Sequence, residues 1–306
     1  MARLTKRKPR SLLLDYLFRK GSDMSTIALL VGIDDYPGIA NDLGECVNDV
    51  TKISDYLEDN GVTSIKMLLN TNATRSRIIE AVKQTLEMTS PGDVVLFTFS
   101  GHGTTIPTID KNNEVDGLDE VLCPYDFRFD NPETFIRDKD LASFFAKNTP
   151  KGVAVYVILD SCYSGDMTRI LATRPRAYPM PEDLHRVVQA ARDWFAPVNG
   201  FVNGLVRYGP LAWIYSMFSR LFFGCRTNQP HGDDNLPIGL LAAASGGPAA
   251  DGAFTPTLLD VLKEHPKADL ITLVDITGRN MRRKGFSQVP QAEGALRNRF
   301  FLEPVE

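Results

Sequence analysis

Val94-Val95-Leu96-Phe97-Thr98-Phe99-Ser100-Gly101-His102-Gly103 decides the reading of this chain, together with Val153-Ala154-Val155-Tyr156-Val157-Ile158-Leu159-Asp160-Ser161-Cys162-Tyr163-Ser164-Gly165. In each stretch an apolar run rich in β-branched and aromatic residues predicts a strand buried on both faces, as in a parallel sheet covered by helices. The polar residues come only at the carboxyl end. In open α/β sheets sites form along that edge, so His102 and Cys162 are expected to meet in space although they stand far apart in the chain. A thiol is mostly protonated at neutral pH and the thiolate is the nucleophile. An imidazole beside it must therefore take that proton and later give one to a leaving amine. Gly101 and Gly103 read as keeping side chains out of a substrate's path, and Gly165 as permitting a tight turn whose amides hold an oxyanion.

Working outward, Thr26 to Ile33 predicts the first buried strand and Asp34 to Gly38 the loop leaving it. A helix is expected over Leu43 to Asn60, stopped by Gly61. Ser64 to Leu69 reads as the second strand, Thr74 to Met88 as a helix with Thr74 as N-cap, and Asp93 to Phe99 as the third strand. The β-α-β-α-β order requires crossover helices and so a doubly wound, mainly parallel sheet. Arg137 to Asn148 predicts the next helix, followed by the Cys162 strand and a fifth strand over Ile238 to Ser245. A helix running to Glu264, another over Leu270 to Lys284 and a last edge strand over Asn298 to Leu302 complete the expected α/β fold of six strands.

Ser100-Gly101-His102-Gly103 followed by Asp160-Ser161-Cys162-Tyr163-Ser164-Gly165 resembles the caspase-type cysteine peptidases of clan CD, and among them the metacaspases and their bacterial relatives. The Gln-Ala-Cys-x-Gly signature of animal caspases is absent, and Asp160-Ser161-Cys162 has the metacaspase form. The resemblance covers roughly residues 25 to 169 and returns weakly from 236. It implies a caspase-haemoglobinase-like fold, a His102 and Cys162 dyad, and an oxyanion site at the backbone of Gly103 and Cys162. It further implies a substrate pocket lined by Cys46, Asp49, Ser100 and Asp160. Two carboxylates in a closed cleft call for a cationic guest, and Arg or Lys supplies one. Without the resemblance, Asp49 is a first-turn carboxylate favoured by a helix dipole, and Asp160 a cap for nearby backbone amides. The Asp-Gln pair usual in the family after the fifth strand is replaced by Gly246-Gly247-Pro248.

The resemblance also raises calcium. Asp110 to Glu120 is acidic but is no EF-hand, because Val115 stands where a glycine is needed. A separate regulatory calcium site is frequent in metacaspases, and Asp119 and Asp138 fit two of its places, with Asp140 nearby. Lys139 and Arg169 stand where further acidic ligands belong, and cations oppose a hard ion that wants six to eight oxygens. No cofactor is required by the expected reaction, and calcium is kept as an accessory.

The rest of the chain organises around this core. Of 306 residues, 43% are hydrophobic and 24% charged, enough for a full core, and a net charge of −4 gives no pull toward nucleic acid. Cys46, Cys123, Cys162 and Cys225 show no metal spacing, and a cysteine nucleophile favours a reducing, cytoplasmic setting. His185, His231 and His265 lack glycine-flanked strand-end positions, which leaves His102 as the base. Residues 1–24 form a basic extension, 25–169 a large-subunit-like region, 170–236 a linker with an insertion, and 237–306 a small-subunit-like region. Arg169, Arg174, Arg176 and Arg186 sit in the Pro-rich start of the linker, where an enzyme cutting after arginine would find its own substrate. The apolar block 194–225 has three readings: packed core, a plug over the cleft, or a surface for a regulatory partner or membrane. The expected function is a monomeric cysteine endopeptidase cutting proteins after Arg or Lys, kept latent and activated by self-cleavage. The alternative from another class is a caspase-like scaffold controlled by a partner. A nucleotide-binding domain lacks its Gly-rich loop, since Asp34 and Asp35 follow the first strand.

Overall fold

The structure is a computed structural model that describes residues 24–38, 41–107, 118–161, 237–243, 252–286 and 288–305. Its main sheet is built from β1 (Thr26–Gly32), β2 (Ser64–Leu69), β3 (Val94–Ser100), β7 (Ala154–Asp160), β8 (Ile238–Ala242) and β9 (Gln291–Glu293). These six strands lie in the order β2-β1-β3-β7-β8-β9. All neighbours are parallel except β8 and β9. β3 and β7 are the apolar runs that lead to His102 and Cys162, and every residue of both is buried, which is why neither alternates polar with apolar.

Among the described residues, five helices cover the sheet: α1 (Cys46–Asp59), α2 (Arg75–Glu87), α3 (Asp138–Asn148), α4 (Phe254–Glu264) and α5 (Leu270–Arg283). Strand alternation splits the core in two. Leu30, Leu96, Tyr156 and Ile158 pack with Val50 and Leu57 of α1, Leu258 of α4 and Leu273 of α5. Leu29, Val31, Phe97, Val155 and Val157 face Ile78 and Val82 of α2 and Phe145 of α3. Because side chains two apart share a face, Ser100 and Asp160 continue the first set, toward α1 and α4.

Two expectations are corrected. The acidic stretch Ile109 to Glu120 reads as a loop, yet its end belongs to a hairpin: β4 (Gly103–Pro107) runs antiparallel to β5 (Leu118–Leu122), which pairs with β6 (Ile136–Arg137). Residues 108–117 between them lie outside the described residues. The last edge strand is Gln291–Glu293, not Asn298 to Leu302. Gly294, at φ +85°, brings the backbone so close to Ile238 that a Cβ would lie 2.2 Å from its carbonyl oxygen. The chain then turns, with Arg299 N–H on the Leu296 carbonyl at 2.9 Å, and Leu302 at φ 60° cannot continue a strand. Phe301 and Leu302 are buried instead, and the Tyr156 hydroxyl donates to the carbonyls of Phe300 and Glu303 at 2.9 and 2.8 Å.

Smaller differences have local causes. α1 starts at Cys46 rather than Leu43 because the Asp34 carboxylate accepts from the N–H groups of Cys46 and Val47, at 2.8 and 3.1 Å. Thr74 holds the N-cap position of α2 without a side-chain cap bond. The Arg75 N–H is satisfied from a distance, by Asp126 at 2.8 Å.

Candidate active site

β3 and β7 end level with one another. Ser100 is the register partner of Asp160, and the Gly101 N–H reaches the Asp160 carbonyl at 3.3 Å. His102 follows two residues beyond Ser100. Cys162 follows two residues beyond Asp160 in sequence, and it lies outside the described residues, as do Arg169, Arg174, Arg176, Arg186 and the block 194–225.

His102 is buried at 2% exposure and held from three directions. Its Nε2 is 2.7 Å from the Asn41 carbonyl oxygen. A carbonyl only accepts, so Nε2 carries the proton and, in the neutral ring, Nδ1 is the basic nitrogen. Its backbone N–H donates to the Tyr36 hydroxyl at 2.9 Å, and that hydroxyl donates on to the Cys123 carbonyl at 2.9 Å. The Cys123 N–H closes the circuit on the His102 carbonyl at 3.0 Å. The Tyr36 ring also lies against the imidazole, centroids 4.7 Å apart and planes at 51°.

This circuit gives Gly101 a different reason from the expected one. A Cβ there would lie 2.7 Å from the Tyr36 hydroxyl and 3.1 Å from the Phe99 ring, so the glycine makes room for the tyrosine that positions His102. Tyr36 and Asn41 were invisible as site residues in the sequence, where Asp34 to Gly38 reads only as an exit loop. Asp34-Asp35-Tyr36-Pro37-Gly38 offered the one signal, an aromatic residue in a polar loop at a strand's carboxyl end. The loop is tied down by Leu43 N–H to the Asp34 carbonyl at 2.9 Å and by Tyr36 N–H to Asp42 at 3.1 Å.

Ser100 and Asp160, two of the expected pocket residues, are register partners at the ends of β3 and β7. Asp49, Ser100 and Asp160 are 0, 2 and 1% exposed. Asp49 lies in the first turn of α1, while Asp160 Oδ2 accepts from the Thr255 hydroxyl at 2.7 Å and the Thr255 N–H at 3.3 Å, in the first turn of α4. Gly252, just before α4, lies so tightly on Glu45, just before α1, that a Cβ would meet its Cγ at 2.7 Å. The starts of both helices therefore flank the same strand ends. Asp160 is a cap, as its residue type alone suggested, and Thr255 is a partner that sequence reading missed. Cys46 is fully buried among Tyr36 and Leu43. Cys123 is a free cysteine, and burial pushes its thiol well above the ordinary value, which makes it a poor nucleophile.

The calcium candidates have other partners. Lys139 Nζ lies 2.5 Å from Asp119 Oδ1 and Arg137 Nε 3.1 Å from Asp119 Oδ2. Arg137 also reaches Asp140 at 3.3 Å. Asp138 lies in the same cluster, and burial pushes its carboxyl up to about 6. Two cations already occupy the donor set, so these residues do not fit a calcium ion. Among the described residues, no helix is long and apolar enough to cross a membrane.

Comparison with known proteins points to one family. Residues 27–171 match the family model described as metacaspase, peptidase C14 domain. This stretch is similar to a caspase-like C14 cysteine peptidase domain. The matched stretch spans both signature segments, from before Asp34 to beyond Cys162. Metacaspase-1B of Aspergillus fumigatus is 30% identical over 189 residues, 58% of this chain and 44% of that protein. Metacaspase-1 of Lodderomyces elongisporus is 27% identical over 299 residues, 86% of this chain and 63% of that protein. The chain thus spans about half of such relatives. Caspase-1 from Spodoptera frugiperda has a similar fold, with a TM-score of 0.54 at 14% identity over 92% of this chain and 91% of that one. A Geobacter sulfurreducens protein of known crystal structure has a TM-score of 0.61 at 23% identity, over 92% and 100%.

Proposed function

We propose that this chain is a cysteine endopeptidase that cuts protein substrates after Arg or Lys. The observation that carries it is the hydrogen bond from His102 Nε2 to the Asn41 carbonyl, which fixes the tautomer whose Nδ1 accepts a proton. In the proposed reaction His102 Nδ1 takes the Cys162 Sγ proton, and the thiolate attacks the carbonyl carbon of the scissile bond. The carbonyl π electrons move to oxygen, and the backbone N–H groups of Gly103 and Cys162 hold the resulting oxyanion. Collapse expels the amine, which takes the proton from His102, and a thioester remains. Water then attacks the thioester with His102 again as base, and the acid leaves as the thiol is regenerated. No step calls for a metal.

Support for the basic-residue preference comes from two buried carboxylates, Asp160 beside Ser100 at the strand ends and Asp49 in the first turn of α1. Arg169, Arg174, Arg176 and Arg186 are the proposed sites of self-cleavage, at the start of a linker that joins the two halves of the sheet. The Asp160 to Thr255 bonds and the β7–β8 pairing hold those halves together after a cut. The test is turnover of matched arginyl- and aspartyl-amide peptides by the purified chain. Hydrolysis of the arginyl peptide at least about 100-fold faster is expected, since a charge-assisted pair contributes some 1.5–3 kcal/mol and aspartate would instead be repelled. A folded protein that hydrolyses neither peptide speaks for a scaffold, and one that prefers aspartate rejects the pocket.

Tyr36→Phe keeps the ring against His102 and removes the hydroxyl from its circuit. A fall of about 10-fold in kcat with little change in KM is expected, because the imidazole loses its backbone support while the pocket is untouched. Equal losses in kcat and in affinity, or no loss, would remove Tyr36 from the site.

A further inference from the structure

We infer that this domain carries its own cation where its relatives would call for calcium: the Lys139 ammonium, with the Arg137 guanidinium, permanently neutralises Asp119 and sets the His102 hairpin without a metal. Asp119 is 1% exposed, and a carboxylate that deep requires a counter-charge. Both of its oxygens have one, Oδ1 from Lys139 at 2.5 Å and Oδ2 from Arg137 at 3.1 Å.

The placement of these groups makes the pairing a clamp. Asp119 sits on β5 opposite Ile106 of β4, the strand that leaves His102 directly. Arg137 sits on β6 opposite Val121 of β5, and its guanidinium lies 5.1 Å from the centre of the Phe135 ring. Lys139 comes from the first turn of α3. One ammonium and one guanidinium thus join the hairpin to the next helix. That is the mechanical work a bound cation would do at the same carboxylate.

A calcium ion would have to displace Lys139, whose chain tether keeps its local concentration high at any calcium level. It would also collect its six to eight oxygens from three carboxylates, two of which Arg137 already engages. Calcium independence of turnover rests on the peptidase reading, whereas calcium binding and unfolding do not. The experiment therefore uses the Cys162→Ala chain, which needs no activity.

Its thermal unfolding is followed in millimolar CaCl2 and in excess EDTA, alongside a calorimetric titration with CaCl2. Tm is expected to agree within about 1 °C in the two conditions, with no saturable heat. Lys139→Ala in the same background is expected to lower Tm by about 5 °C or more, and Lys139→Arg to stay within about 2 °C. Saturable calcium binding that raises Tm by about 5 °C or more overturns the inference, because the titration reads the unaltered cluster even if Lys139→Ala fails to fold. A Lys139→Ala protein as stable as its parent in EDTA overturns it too.

Discussion

Cys162→Ala is expected to reduce hydrolysis of an arginyl-amide peptide by at least about 1,000-fold, and His102→Ala to do nearly the same. The alanine leaves no atom to form the thioester, and the other change leaves the thiol protonated with no group to protonate the leaving amine. Because the two act as a unit, the double variant should be no slower than either single one. Stability should separate them. His102 is buried, with bonds to Asn41 and Tyr36, so its removal leaves the Asn41 carbonyl without its donor and costs about 1–3 kcal/mol. Turnover kinetics and denaturant melts of the three proteins check both halves. Wild-type rates in Cys162→Ala would move the nucleophile elsewhere.

Asp160→Asn is the second large effect. The amide keeps the shape and can still accept from Thr255 through its oxygen, so α4 stays capped while one negative charge leaves the pocket. A buried guanidinium then meets only Asp49, and the loss of one charge-assisted bond, about 1.5–3 kcal/mol, predicts a 10- to 150-fold fall in kcat/KM on arginyl substrates. The citrulline analogue, which has arginine's shape without its charge, should lose little. Asp49→Asn should behave alike, since it too is a fully buried carboxylate, in the first turn of α1. An equal fall for both substrates would mean that Asp160 serves only as a cap.

The parts that were legible in the sequence share a physical feature. β3 and β7 are buried on both faces, so their composition alone marks them as central strands, and a single polar run at each carboxyl end marks the edge where chemistry collects. The helices α1, α2, α4 and α5 follow from amphipathic spacing for the same reason. What remained hidden depends on contacts between distant residues. The Asn41 carbonyl acts through its backbone, so no residue type announces it. The Tyr36 hydroxyl and Thr255 find partners across the fold, at His102 and Asp160. The hairpin after His102 was masked by its acidic residues, because Asp119 is neutralised by Arg137 and Lys139 from elements that follow it in the chain. β9 is only three residues long and is set by the tight approach of Gly294, which no periodicity reports.

The most direct measurement of the central claim is covalent labelling with an arginyl chloromethylketone, read by intact mass and peptide mapping. A single adduct on Cys162 is expected, formed quickly by the wild type and slowly by His102→Ala, with an aspartyl probe leaving the protein unlabelled. Cys123 should stay unmodified, because it is buried and its thiol resists ionisation. A folded chain that takes no label at Cys162, or takes it equally well without His102, would contradict a His102 and Cys162 peptidase site.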